Sequence, residues 1–206
     1  MNRFAFLTLA LVASSAFADL KVFNVLPGEY RVEVTKPNGD IDKSALRGAS
    51  PGASSASFIF PQGIKSVPVQ IFDDAGAVAW KGTAGVNDAW VLVPDGKGVK
   101  AIFAGTYGDR GARVAMLLNA TGETLSVDLV GMNGLAAVRG IKPGTSFDAN
   151  GVKLDPSEST FKVIAKMGDA DAIDLKSAVM PSTYSIFFKN TQGLLKVVHA
   201  GYVVKK

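Results

Sequence analysis

Cysteine is absent from this chain of 206 residues, and histidine occurs once, at position 199. Without cysteine no disulfide can form, so apolar burial alone must hold the fold. One histidine and no thiol leave too few ligands for zinc or copper, so no metal and no other cofactor is expected. Helical spacing is missing over any useful length beyond the first 18 residues. Dense Lys/Arg runs are missing too: the formal net charge is +4, with both signs interspersed. That excludes the electrostatic footprint of a nucleic-acid binder. What the chain does have is 48% hydrophobic residues, enough for cores of ordinary size.

The first residues read as an export signal. Asn2-Arg3 gives a positive start, Phe4 to Ala13 is apolar or weakly polar, and Ala16-Phe17-Ala18 supplies the small residues a signal peptidase needs. The run is shorter than the ~20 residues of a membrane span. Residues 1–18 are therefore expected to be a cleaved signal peptide, with the working protein beginning at Asp19 in the periplasm.

The remainder reads as one unit written twice. Asn24 and Asn119, Val32-Glu33-Val34 and Val127-Asp128-Leu129, and Asn38-Gly39 and Asn133-Gly134 all recur at a spacing of 95. Further on the match drifts by a residue either way: Val67 and Val69 fall on Phe161 and Val163, Trp90-Val91-Leu92 on Ile186-Phe187-Phe188, and Gly98-Val99 on Gly193-Leu194. Loop insertions between matching strands produce such drift, and a repeat of this length sets the fold count before any motif does.

Within each copy the local signal is β. Tyr30, Val32 and Val34 alternate with polar neighbours, as do Val67, Val69 and Ile71, and Leu125, Val127 and Leu129; period two is the mark of a half-buried strand. Pro27-Gly28, Asn38-Gly39, Pro61-Gln62-Gly63, Pro94-Asp95-Gly96, Asn133-Gly134, Pro143-Gly144 and Asn150-Gly151 break these runs with turn chemistry. The expected fold is all-β: two tandem, similar antiparallel β-sandwiches, Ig-like or jelly-roll-like, over 19–106 and 113–206, joined by a glycine-rich linker at 107–112. Pro68 marks its strand as an edge or turns its missing N–H to solvent. Asp42 to Ser57, rich in Ser, Ala and Gly, reads as a long mobile loop.

No reactive centre assembles from these residues. Gly48-Ala49-Ser50-Pro51-Gly52 matches the nucleophile-elbow pattern, but no buried strand precedes it and no helix follows. His199 reads as an ordinary strand residue near the counterpart of Ala104. Asp73-Asp74, and Asp169, Asp171 and Asp174 in the second copy, read as solvated hairpin turns, since a calcium loop needs a closing Glu that neither has. Gly96-Lys97-Gly98 lacks the helix of a phosphate loop. For surface recognition the candidates are Trp80, as a platform for a sugar ring, and Tyr107 with Arg110 and Arg113 at the joint; Trp90 reads as core. No catalytic residue is expected.

A secretion signal, a first unit opening Lys21-Val22-Phe23-Asn24-Val25, and a second opening at Ala112 to Ala120 and closing with Thr183-Tyr184-Ser185-Ile186-Phe187-Phe188 together resemble the periplasmic accessory proteins of alginate O-acetylation and their relatives in acetylated-cellulose systems. The resemblance implies paired β-sandwiches and a non-catalytic adaptor role. Its implied partners are periplasmic or membrane acetyltransferase components of a polysaccharide secretion complex, with the polysaccharide itself as a further one. The chain lacks the Gly-Asp-Ser block and the terminal Asp-x-x-His of the esterase partners. An independent carbohydrate-binding periplasmic protein is the alternative.

Overall fold

The computed structural model describes residues 18–49, 53–61, 63–106, 116–131, 134–142, 146–148, 161–167, 173–179 and 183–201, and among these there are strands and turns but no helix. The first half holds β1 (Ala18–Asn24), β2 (Tyr30–Thr35), β3 (Ile41–Leu46), β4 (Ser54–Phe60), β5 (Ser66–Asp73), β6 (Val78–Gly85), β7 (Asp88–Asp95) and β8 (Gly98–Thr106). The second holds β9 (Met116–Ala120), β10 (Leu125–Gly131), β11 (Gly134–Ile141), β12 (Ser146–Asp148), β13 (Phe161–Met167), β14 (Ile173–Val179), β15 (Thr183–Lys189) and β16 (Leu195–Gly201). Four four-stranded sheets result, called here A (β4-β1-β7-β8), B (β3-β2-β5-β6), C (β12-β9-β15-β16) and D (β11-β10-β13-β14). The strand order of C repeats that of A, and the order of D repeats that of B.

The repeat extends to register. β1 runs parallel to β7 with Lys21 opposite Ala89 and Val22 opposite Trp90. β9 runs parallel to β15 with Met116 opposite Tyr184 and Leu117 opposite Ser185, each residue 95 further on. Trp90 is therefore matched by Ser185, and the one-residue drift expected at this strand is absent. The drift occurs in the next hairpin instead: Val91 faces Ile102 whereas Ile186 faces Val198. The second hairpin is longer by one residue, with Pro94 paired to Val99 in the first copy and Lys189 to Leu195 in the second.

One buried asparagine in each copy closes the same joint. At the end of β1, Asn24 donates both amide hydrogens, to the carbonyls of Gly28 (2.7 Å) and Arg47 (2.9 Å), while its Oδ1 accepts from the Leu26 N–H at 2.9 Å. At the end of β9, Asn119 donates to the carbonyls of Glu123 (2.8 Å) and Ile141 (2.7 Å) and accepts from the Thr121 N–H at 3.0 Å. Both are completely buried. Only a primary amide offers two donors and an acceptor on one short side chain, which explains why asparagine stands at both positions.

Apolar packing orders the sheets. The face of A formed by Leu20, Val22, Ala56, Phe58, Phe60 and Leu92 packs on Val32, Val34, Leu46, Val67, Val69, Ile71 and Ala84 of B. The opposite face of A, with Phe23, Ala89, Val91, Val93 and Ala104, packs on Leu118, Ala120, Tyr184, Ile186, Phe188 and Ala200 of C. The Phe23 and Tyr184 rings meet at 4.9 Å across this second layer. The centre of sheet A is thus covered on both faces, which is why β7 carries a continuous apolar run from Ala89 to Val93 rather than alternation. The two halves share a core, and a backbone bond from Ala53 N–H to the His199 carbonyl (3.0 Å) adds to the contact between them. The proposed linker at 107–112 lies outside the described residues.

One local expectation is corrected and another is narrowed to one of its two alternatives. Asp42 to Ser57 is no long loop: β3 and β4 occupy most of it and leave a connection of 47–53. Its polar residues alternate with Leu46, Ala56 and Phe58, and the shortage of bulky side chains hid that pattern. Pro68 sits in β5, an internal strand rather than an edge. It is tolerated because the ladder with β2 ends at the Val34–Val69 pair, so Pro68 has only β6 beside it.

Two outcomes follow. Asn24→Ala or Asn119→Ala removes the partner of two carbonyls and of a buried N–H and costs about 1–3 kcal/mol in urea unfolding. Both tryptophans, Trp80 and Trp90, lie in the first half, so fluorescence reports that half while far-UV circular dichroism reports every sheet. With a shared core the two transitions coincide, and Phe23→Ala shifts both together by about 3–5 kcal/mol. Separate transitions would rule out the shared core.

Candidate functional site

Trp80 lies on the inner face of β6, half-buried, with its ring 5.3 Å from that of Trp90. Trp90 continues the contact to Phe103 at 5.8 Å. A Cβ on Gly82 would come within 2.5 Å of the Trp80 ring, so the indole covers a glycine of an edge strand. Trp90 Nε1–H donates to Asp88 Oδ2 at 3.1 Å, and the same oxygen accepts from the Gly85 N–H at 2.6 Å. Aromatic rings laid over edge glycines shield the sheet margin from water. Trp80 therefore closes the β6 side of the A–B core, leaving part of its ring exposed. Tyr107, Arg110 and Arg113 lie outside the described residues.

The nucleophile-elbow pattern has a structural origin at its first glycine. A Cβ on Gly48 would overlap the Pro27 carbonyl, while Ala49 N–H donates to the Leu26 carbonyl at 2.7 Å. This glycine lets the chain press against the loop after β1. The segment runs on into strand β4, not into the helix an elbow requires. Ser50 itself lies outside the described residues.

His199 does have a serine partner, but a different one. Its Nδ1 is 3.0 Å from Ser185 Oγ, directly across the β15–β16 ladder. In the first half the same two positions hold Trp90 and Phe103, one residue short of the Ala104 counterpart expected from sequence. Where the first half has two large rings, the second has a small hydroxyl and an imidazole. Ser185 is completely buried, so no acyl group can reach its oxygen, and burial pushes the His199 pKa below its ordinary 6.5. Sequence comparison at a fixed spacing matches Ser185 to Trp90 but His199 to Ala104, so the one-residue drift in the hairpin hid this pair.

The open face of sheet B is where charge collects. Arg31, Glu33 and Lys43 form a cross-strand triad, with Glu33 Oε1 3.0 Å from Arg31 Nε and 2.9 Å from Lys43 Nζ. The Lys43 hydrogen bond, with both cations nearby, holds the Glu33 carboxyl below its usual range. Gln70 and Lys81 continue the row on β5 and β6, and Arg31 lies 4.7 Å over the Phe72 ring. At one end an open cleft of about 330 Å³ is lined by Glu29, Tyr30, Arg31, Lys43, Asp73 and Asp74, among others. Burial and the two aspartates raise the Tyr30 pKa. Asp73 itself is a turn residue as expected: its Oδ1 accepts from the Ala77 N–H at 2.8 Å. Asp169 and Asp171 lie outside the described residues, and among the described ones no group of three metal-binding side chains occurs.

The depressed His199 pKa has a consequence for stability. An unfolded histidine takes up a proton near pH 6.5, which the folded chain resists, so the unfolded state binds more protons there. Stability is fully present above that pH and declines as pH falls through it towards the folded value. In the double variant Ser185→Ala, His199→Phe this contribution is gone. Urea midpoints measured between about pH 7 and pH 5 fall more steeply for the parent protein than for the variant. Equal slopes would show that His199 is not held neutral by the fold.

No known protein family matches this chain, and no curated protein matches it either.

Proposed function

We propose that this protein is a non-catalytic periplasmic accessory or adaptor protein of exopolysaccharide O-acetylation, of the alginate or cellulose type, acting through protein–protein contacts. The observation that carries the non-catalytic part is the fate of the single histidine. Its Nδ1 is engaged by a serine hydroxyl with no exposure, so the one Ser–His contact in the described structure is closed to substrate. The resemblance of the strand-opening segments to alginate O-acetylation accessory proteins carries the choice of system, and the apolar start before Asp19 carries the compartment.

The open face of sheet B suits the adaptor role. It carries Arg31, Glu33, Lys43 and Lys81 in neighbouring strands, the first three tied by ion pairs. Such a face gives orientation and specificity to a docking partner rather than chemistry. The alternative, an independent carbohydrate-binding protein, would use the exposed part of Trp80. Since that ring also packs on Trp90, Trp80→Ala tests stability together with affinity.

The adaptor reading predicts that the tagged protein recovers an acetyltransferase component from envelope extracts. Lys43→Glu with Lys81→Glu reduces that recovery about tenfold or more while the circular dichroism spectrum stays unchanged. Purified protein leaves acetyl esters intact, and Ser185→Ala behaves identically. Hydrolysis abolished by Ser185→Ala would sink the reading. Polymer binding without recovery of any acetyltransferase component would favour the alternative.

A further inference from the structure

Edge strands expose unpaired N–H and C=O groups, and proteins guard them with charges, glycines, prolines or bulges. Three edges of the first half are guarded in this way. β3 carries Asp42 and Lys43; β6 carries Lys81 and Gly82 and pairs with β5 through a bulge; β8 carries Lys100 with glycines at 98 and 105 and is itself bulged at Ala104. β4 is the exception. Its sequence Ser-Ser-Ala-Ser-Phe-Ile-Phe has no charge, glycine or proline, and its seven pairs with β1 run without a register shift. Among the described residues nothing is hydrogen-bonded to its other side. Ile59 on this strand is 47% exposed.

We propose that β4 is a self-association edge, pairing antiparallel with β4 of a second copy of this chain. The occupant follows from the strand's own pattern. Centred on Ser57, a two-fold pairing places Ala56 opposite the second Phe58 and Ser54 opposite the second Phe60, small against large on the core side. On the other side Ser55 falls opposite Ile59 and covers its exposed surface. No charge meets a like charge. Sheet A becomes one continuous eight-stranded sheet across the two-fold axis, extending an existing hydrogen-bonded ladder. A seven-residue ladder with two isoleucines falls below the roughly 1,200 Å² of a standard interface, so the dimer is reversible and concentration-dependent. This inference does not depend on the proposed function.

The test uses the two exposed positions that the pairing brings together. Sedimentation equilibrium of the full mature chain, followed into the high micromolar range, reads a monomer–dimer equilibrium for the parent protein. In the double variant S55K/I59K two lysine pairs face each other and the dissociation constant rises about tenfold or more. In S55E/I59K the same positions carry opposite charges and the dissociation constant stays at or below the parent value. A parent protein that is monomeric throughout, or two double variants that dissociate alike, overturns the proposal. A readout without mutation is amide hydrogen exchange: β4 amides on the free side gain protection as concentration rises, and unchanged protection overturns it equally.

Discussion

The constraint on which the rest of this structure depends is the burial of the two central strands of sheet A, β1 and β7, on both faces. A sheet with one wet face can be stabilised within a single sandwich, but β1 and β7 present large apolar side chains in both directions. Phe23, Val91 and Val93 would meet water if the first half stood alone, and burying a side chain of that size contributes about 1.5–3 kcal/mol. Sheet C supplies the cover and has the same need, with Leu117 and Phe187 buried on one side and Leu118 and Ile186 on the other. The layers B, A and C follow from that demand. So does the exposure of charge on the far face of B, the face left to water.

The contact between A and C is self-similar. Phe23 and Leu118, Val25 and Ala120, Ala89 and Tyr184, Val91 and Ile186, and Val93 and Phe188 are pairs of the repeat, and all ten residues belong to one cluster. Equivalent surfaces facing each other across an approximate two-fold axis are the signature of an isologous interface. It is nevertheless no longer symmetric. Tyr184 reaches Phe23, while the counterparts of those two, Ala89 and Leu118, are smaller. One copy carries tyrosine where the other carries alanine, and the interface accommodates the difference.

The parts of this fold legible in sequence are those where one face is wet. Alternation located β2, β5 and β10, and turn residues located breaks between strands, with Gly39, Gly63 and Gly96 all at positive φ. The Asn24–Asn119 match was visible, although its meaning as a triple hydrogen-bonding bracket was not, because the bonded carbonyls of Arg47 and Ile141 lie over 20 residues away. Pattern failed where both faces are dry or where side chains are small. Ala89-Trp90-Val91-Leu92-Val93 identified core but not a core on two sides, although an unbroken apolar run is the expected sign of it. In β4 the serines on one face and Ala56 on the other flattened the contrast that marks a strand. Of the candidate site, Trp80 could be nominated from type alone, but its packing on Trp90 and Gly82 depends on the pairing of β5 with β6.

Covalent continuity explains how such asymmetry can be sustained. Two separate copies of one unit must keep identical surfaces, so any change at position 89 appears on both sides of the axis at once, and two tyrosines would compete for the space one now fills. Joined in one chain, the halves meet at an effective concentration set by the connection rather than by abundance, and each surface is encoded separately. The interface then tolerates a substitution on one side alone. The same freedom let Trp90 and Phe103 of the first half stand against Ser185 and His199 in the second, a pair that would leave a void in the aromatic packing of the A–B core. Duplication within one chain thus maintains a shared core while releasing the two halves to differ in the side chains around it.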